Sequence, residues 1–534
     1  MNDKIKGLLL AIVLAVLGGL VWISRPIWHW FFMWGYVNPA VWEPILLAAI
    51  VCLIISGVGA VIAKLVKRRY DREIQEIREK PQKSFTEYDL RRKKEREIRD
   101  LREDCKTAML VFASAVVIGG WIVIGPLQVT YPQCHLAQTL EVSEIAELPD
   151  IEPSTVRIMP MAVSQRYAKD ALQYPRHKLG TGDIAFVNGT PNWIYGIIPN
   201  GPINFFVIKD KGAAYVDMTT SVKNVKITEK DMEIGEGMGI RDWYKWRLYK
   251  EKYWIDCEEP YFIPTSEGEL YLAVPLVRYE YHWRFPAFYT VPRWAGTALI
   301  HSDGDIEFLT PEQALAHPVL KDQKLFPEKL SRYYINSFRY THGIKNRLFF
   351  HEEQLEISEV AEQENIQPFL VVTKDGPKWF IACEPWGEAY GIFRIYLTDA
   401  RTGKIQLYER PKVEALTGPV KAIDYVRKQN PIIDWTRMAP VEPIPLIREG
   451  RLYWQIKIIP EDAAGIAYTA MVDALTVEVI ELKRDEEIRQ FIEGVLEIPT
   501  TPIVNVTAIV IIQEDGREIQ RIPLYENQTV LVIP

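Results

Sequence analysis

Residues 64–80 read KLVKRRYDREIQEIREK, residues 81–107 continue PQKSFTEYDLRRKKEREIRDLREDCKT, and residues 108–127 change abruptly to AMLVFASAVVIGGWIVIGPL. Sixteen Lys and Arg side chains fall between Lys64 and Lys106, against a single Arg25 between the two preceding apolar runs. Twenty apolar residues rising 1.5 Å each match the roughly 30 Å hydrocarbon layer of a bilayer. Positively charged loops stay on the cytoplasmic side, so the charged loop fixes the side on which everything after it must lie.

Working outward, the expected membrane part is 1–127, with spans near 7–23, 45–63 and 108–127 and a cytoplasmic basic hairpin over 64–107. Lys4 and Lys6 ahead of the first run place the N-terminus inside, and residues 128–534 are then extracytoplasmic. A cleaved leader is the competing reading of the first run. No small-residue cleavage pattern follows it, and the chain runs straight into Arg25-Pro26-Ile27-Trp28-His29-Trp30. The aromatic stretch from Trp22 to Trp42 suits the headgroup layer, where amphipathic rings settle. Inside the basic loop Pro81 separates two helical patterns, the second expected to cap at Thr86. Ser56/Ala60 and Ala115/Gly119 give each flanking span a small-xxx-small pair.

Charge divides the chain as sharply as hydropathy does. Residues 1–127 hold nineteen Lys and Arg against thirteen Asp and Glu; residues 128–534 hold forty-four against fifty-seven. An acidic outer part argues against nucleic acid as a partner, which would need a basic face. Cys134, Cys257 and Cys383 are too few for a disulfide framework, and their pairing stays open.

Beyond Pro149 the pattern becomes short β-rich runs punctuated by Gly, Pro and Asp. The run Gly376-Pro-Lys-Trp…Gly391…Asp399-Ala-Arg-Thr402 recurs seventy-four residues later as Gly450-Arg-Leu-Tyr-Trp…Gly465…Asp473-Ala-Leu-Thr476, which reads as an internal duplication. Each unit predicts an aromatic strand, a second strand and an Asp-x-x-Thr turn into a third, with a helix over Val420–Lys428 laid on the last sheet. Looser copies start at Gly189-Thr-Pro-Asn-Trp193 and Gly268-Glu-Leu-Tyr-Leu272, with helices near 164–173 and 311–316. Pro440–Pro445 reads as a connector. The fold expected is therefore α+β: three transmembrane helices, a β-rich outer part of tandem helix-plus-antiparallel-sheet modules, and a small terminal β domain. Its divisions are 128–350 with two divergent repeats, 351–495 with the clearer repeats 376–410 and 450–484, and 496–534. In that last part Ile503–Gln513, the Asp515-Gly516 turn, Glu518–Tyr525 and Thr529–Ile533 predict a hairpin and a third strand.

The order seen at Tyr396–Tyr408, a strand followed by Asp-x-x-Thr-Gly-Lys-Ile, resembles the PepSY-type domain of bacterial envelope proteins. The chain also resembles bacterial or phage membrane proteins with a few N-terminal spans and a repeat-bearing outer part. The resemblance implies protein binding and inhibition of peptidases at the envelope, without catalytic residues. Val477 stands where the first copy has the turn glycine Gly403.

No catalytic, metal or cofactor set is expected. His351-Glu352-Glu353 lacks a second His at Leu355, His301/Asp303/Asp305/Glu307 reads as a solvated hairpin, and Gly235-Glu-Gly237-Met-Gly239 reads as a turn. Tyr279–Trp294, dense in aromatics, reads as a strand buried on both faces. Asn188, Asn505 and Asn527 fall in glycosylation sequons. The function expected is a non-catalytic envelope protein whose partners are the lipid bilayer and an envelope protein or peptide, with homo-oligomers allowed. A structural subunit of a membrane or virion assembly and an envelope hydrolase with a dispersed site are the alternatives.

Overall fold

The computed structural model describes residues 3–79, 84–359, 366–387, 391–411, 414–462, 464–495, 508–512 and 518–523. Four helices come first: α1 (Asp3–Ser24), α2 (His29–Val37), α3 (Glu43–Glu79) and α4 (Ser84–Thr139). Two of them, α3 and α4, are long and apolar enough to cross a membrane. The apolar part of α1 breaks at Arg25-Pro26 and turns by 85° into α2, so it counts as a third span only if that bent pair is taken as one. Proline supplies the break, having no N–H to donate back into the first helix.

The basic loop is an extension of both long helices. Beyond the apolar runs α3 and α4 continue as an antiparallel pair tied by Lys94–Asp71 at 2.5 Å, Arg78–Glu87 at 2.7 Å and a Tyr70 hydroxyl donating to Glu97 at 2.6 Å. Thr86 lies inside α4, which starts at Ser84, so the expected cap is displaced. The close approaches also differ from the expected pairs. A Cβ on Gly59 would lie 2.6 Å from Cys105 Sγ, and one on Gly120 would lie 2.7 Å from Pro44. Ala60 is exposed and a Cβ on Gly119 would meet nothing within 4 Å, so neither residue makes the close approach expected of it.

Nor does α4 stop at Leu127. It passes through Pro126 and Pro132 to Thr139, and Tyr131, Cys134 and Leu136 are buried in the core of the large region. Burial of that last turn outweighs the lost proline hydrogen bonds. The long apolar helix therefore enters the core of the β-rich region without a linker. Immediately after it Val142–Glu144 adds a parallel strand beside Ile405–Leu407.

The β-rich region that follows contains four antiparallel meanders. The first is His177–Val187, Thr190–Pro199, Gly212–Asp217 and Val225–Glu229. The second is Tyr261–Pro264, Leu270–Arg284, Ala287–His301 and Ile306–Leu309, extended by Asp256–Cys257. Phe369–Thr373, Gly376–Pro385, Arg394–Asp399 and Ile405–Glu409 make the third; Met438–Arg448, Arg451–Pro460, Tyr468–Asp473 and Val479–Leu482 make the fourth. Helices Met161–Ala171, Tyr244–Glu251, Glu328–Ser337 and Pro419–Gln429 precede the four in turn.

Three meanders share a hydrogen-bond pattern. The turn aspartate accepts backbone N–H groups: Asp217 from Thr219, Asp399 from Arg401 and Thr402, Asp473 from Leu475 and Thr476. The carbonyl of the next residue accepts from the segment leading into the helix: Met218 from Ile158 and Met159, Ala400 from Leu325 and Phe326, Ala474 from Thr417. That segment's carbonyl in turn accepts a buried indole N–H: Trp193 to Met159 at 3.0 Å, Trp379 to Phe326 at 3.0 Å and Trp454 to Thr417 at 2.7 Å. The second meander keeps the carbonyl contact, Glu233 N–H to Ser302, and has Leu272 in place of the tryptophan. Strand register aligns Trp379 with Trp454, since each follows the residue paired with its turn aspartate. The seventy-four-residue shift is therefore out by one in the hairpin strand.

Prolines 440, 443 and 445 lie within the edge strand Met438–Arg448 and not in a connector. An edge tolerates the missing donors, and the register shift between Val441 and Ile444 absorbs the irregularity. Met1–Asp485 form one compact unit and Glu486–Pro534 a second, in which Ala508–Ile512 pairs antiparallel with Glu518–Pro523. The Asp515-Gly516 turn and the strand expected at 529–533 lie outside the described residues.

Candidate acidic cavity

A cavity of about 220 Å³ lies where the first three meanders meet. Its floor is aromatic: Trp193, Tyr261 and Trp379, from the hairpin strands just described. The indole bonds of Trp193 and Trp379 fix two of these rings, and the Tyr261 hydroxyl donates to the Lys324 carbonyl at 2.5 Å. Arg401, in the turn after Asp399, donates to the carbonyls of Leu315, Leu320 and Gln323 and so holds the loop that carries Lys324.

Charged groups ring that floor. Asp183 comes from the strand His177–Val187, Glu258 and Glu259 from the connection before Tyr261, and Glu328 and Lys329 from the first turn of their helix. Lys324 pairs with Asp183, its ammonium 5.0 Å from the Tyr261 ring centroid and 5.6 Å from that of Trp379. Lys329 bridges Glu259 at 2.7 Å and Glu258 at 3.7 Å. Arg157 lies over Trp193 and is neutralised by the buried Glu442 at 2.7 Å. Four carboxylates thus share two lysines.

Burial decides how these carboxylates titrate. It pushes Glu328 up to about 7, Lys324 pulling the other way and Asp183, Glu259 and Glu258 adding to the rise. Glu258 is raised by burial too, with Lys329 opposing. Behind the ring, burial and the neighbouring Asp210 push Glu236 up to about 7. Asp210, wholly buried, is itself raised to about 7 by burial, although its Oδ2 accepts the Glu236 N–H at 2.8 Å. Its Oδ1 has no hydrogen-bond partner among the described residues.

The Gly235–Gly239 stretch, expected as a simple turn, is the cradle of that carboxylate. A Cβ at Gly235 would come within 2.0 Å of Asp210 Oδ2, so only glycine lets the loop close. Elsewhere His301 Nε2 meets Glu307 at 2.6 Å in a hairpin, and His351 stacks on Trp386 at 3.7 Å. Among the described residues no group of three His, Cys, Asp or Glu could hold a metal ion. All five cysteines are free, with Cys134, Cys257 and Cys383 buried. Asn188 occupies a hairpin turn with φ 52°, while Asn505 and Asn527 lie outside the described residues.

The Tyr279–Trp294 region departs from the two-faced burial expected of it. Tyr289 and Val291 are buried, yet the hairpin tip exposes Trp283 and Phe285. That tip grips α2 and α4: Tyr131 of α4 donates to the Phe285 carbonyl at 2.9 Å and Gln128 to that of Phe288 at 2.6 Å, while Tyr281 donates to the Tyr36 carbonyl of α2. Sequence reasoning missed the cavity because its ionisable groups come from separate segments, none with a recognisable spacing. Comparison of the chain with protein-family models, curated proteins and solved structures gives no match in any of the three.

Proposed function

We propose that the chain is a membrane-anchored envelope protein whose outer PepSY-like modules bind a protein or peptide partner, taking one cationic side chain into the acidic cavity. The N-terminus and the α3–α4 extension face the cytoplasm in this reading, and the meanders face outward; the sixteen basic residues between Lys64 and Lys106 support that orientation. The cavity carries the proposal. At about 220 Å³ it is smaller than the roughly 300–1,000 Å³ typical of small-molecule sites, which fits one protruding side chain better than a whole substrate. An incoming ammonium or guanidinium would complete the charge balance and draw the proton off Glu328.

Intrinsic tryptophan fluorescence of the full-length protein in mild detergent tests this, because Trp193 and Trp379 line the cavity. Titration with the tripeptide amide Ala-Lys-Ala is expected to give a saturable change that Ala-Gln-Ala lacks, and Glu328→Gln is expected to weaken it about tenfold. Equal responses to both peptides would overturn the proposal. A hydrolase is the second reading, favoured by a carboxyl, Glu328, that holds a proton near neutral pH beside other carboxylates.

A further inference from the structure

A second, larger cavity of about 780 Å³ lies between α2 and the outer region, well separated in chemistry from the acidic one. One wall is the α2 face of Trp30, Met33 and Trp34; the opposite wall includes Phe205, Ile240 and Trp246. Two observations point to what fills it. Ile12 to Ile23 of α1, which lead directly into this wall, expose apolar side chains throughout, Trp22 by 67% and Ile23 by 63%. Around the same end of the outer region Ile203, Phe206, Val207 and Trp254 also present apolar surface outward. Apolar surface of this extent, continuous with helices suited to a bilayer, belongs against hydrocarbon.

Its polar lining is equally specific. Lys245 faces the groove with no ion pair among the described residues, and Lys250 lies over the ring of Trp246, a lining residue, 5.2 Å from its centroid. Asp256 also lines the groove; it accepts from the Cys257 N–H at 2.9 Å and meets the Tyr279 hydroxyl at 3.5 Å. Aromatic walls with one cation and one anion at the rim match a zwitterionic headgroup above an acyl chain. α2 is held in place for this by His29, which stacks on Tyr249 at 3.4 Å and whose Nε2–H donates to the Tyr253 and Ile255 carbonyls.

We propose that this groove binds one amine-bearing glycerophospholipid of the surrounding leaflet, with an acyl chain along Trp30–Trp34, the phosphate on Lys245 and the headgroup amine on Asp256. The test uses the full chain, delipidated in detergent, reloaded with phosphatidylethanolamine or phosphatidylglycerol, gel-filtered and assayed for phosphorus. Wild type is expected to retain about one phosphatidylethanolamine per chain and several-fold less phosphatidylglycerol. Lys245→Glu, a change at the rim, and Val37→Trp, which fills the groove, are each expected to lower retention about tenfold at unchanged melting temperature. Asp256→Asn is expected to abolish the preference between the two lipids. Retention that is equal in wild type and Val37→Trp, or occupancy by detergent alone, would overturn the proposal, and equal retention of both lipids by wild type would overturn the headgroup assignment.

Discussion

Replacing Asp210 by Asn should stabilise the protein at neutral and alkaline pH and much less in acid. The carboxyl is wholly buried, one oxygen has no partner among the described residues, and burial has raised it to about 7. In the unfolded chain an aspartate titrates near 4, so folding takes up a proton between about pH 4 and pH 7. The sign follows from that uptake. Below about pH 4 both states are protonated and the group costs nothing; the cost grows through the interval and levels off above pH 7. At its plateau it is roughly 4 kcal/mol, and at pH 5 roughly 1.5 kcal/mol. Asparagine still accepts the Glu236 and Gly237 N–H groups and carries no charge. Any penalty for its new amino group is independent of pH, so the change between pH 5 and pH 8 is the diagnostic quantity. Thermal unfolding of the full-length protein in detergent reads it out. The melting temperature of Asp210→Asn relative to wild type should rise by several degrees between pH 5 and pH 8, given about 1–2 °C per kcal/mol for a unit of this size. A difference that stays constant with pH, or grows towards acid, would refute the reasoning.

Other tests probe the repeated turn and the loops it holds. Val477 adopts φ 58° where the third meander has Gly403 at φ 77°, so Val477→Gly should raise stability by about 1 kcal/mol in denaturant titration. The reverse change, Gly403→Val, should cost more than about 3 kcal/mol, because a Cβ there would lie 2.4 Å from the Phe326 ring. Trp454→Phe removes the donor to the Thr417 carbonyl and should cost about 1–3 kcal/mol, visible as a lowered denaturation midpoint. Glu442→Gln removes the carboxylate that meets the buried Arg157 guanidinium at 2.7 Å and should cost about 3–5 kcal/mol by the same measurement.

Much of this architecture is written locally. The apolar runs of α3 and α4, the helix Pro419–Gln429 and the Asp-x-x-Thr turns each follow from residues adjacent in sequence, and all were legible. What stayed hidden depends on contacts between distant segments. Pro132 signals an end to α4, yet burial of Tyr131 and Leu136 carries the helix onward. Pro440, Pro443 and Pro445 signal a connector, yet an edge strand accepts them. The Trp379/Trp454 equivalence was obscured by a one-residue offset that only strand register reveals. Cavity groups such as Asp183, Glu258 and Glu328 carry no motif, since nothing in their spacing says they converge.

The central claim is that the α3–α4 extension and the cavity-bearing region lie on opposite sides of one bilayer. Single cysteines placed in a cysteine-free background at Arg99, in the α4 extension, and at Ile432, 94% exposed in the β-rich region, test it with a membrane-impermeant maleimide on intact cells. Ile432→Cys is predicted to label on intact cells, and Arg99→Cys only after the membrane is opened. Labelling of both without permeabilisation, or of Arg99→Cys alone, would contradict the account.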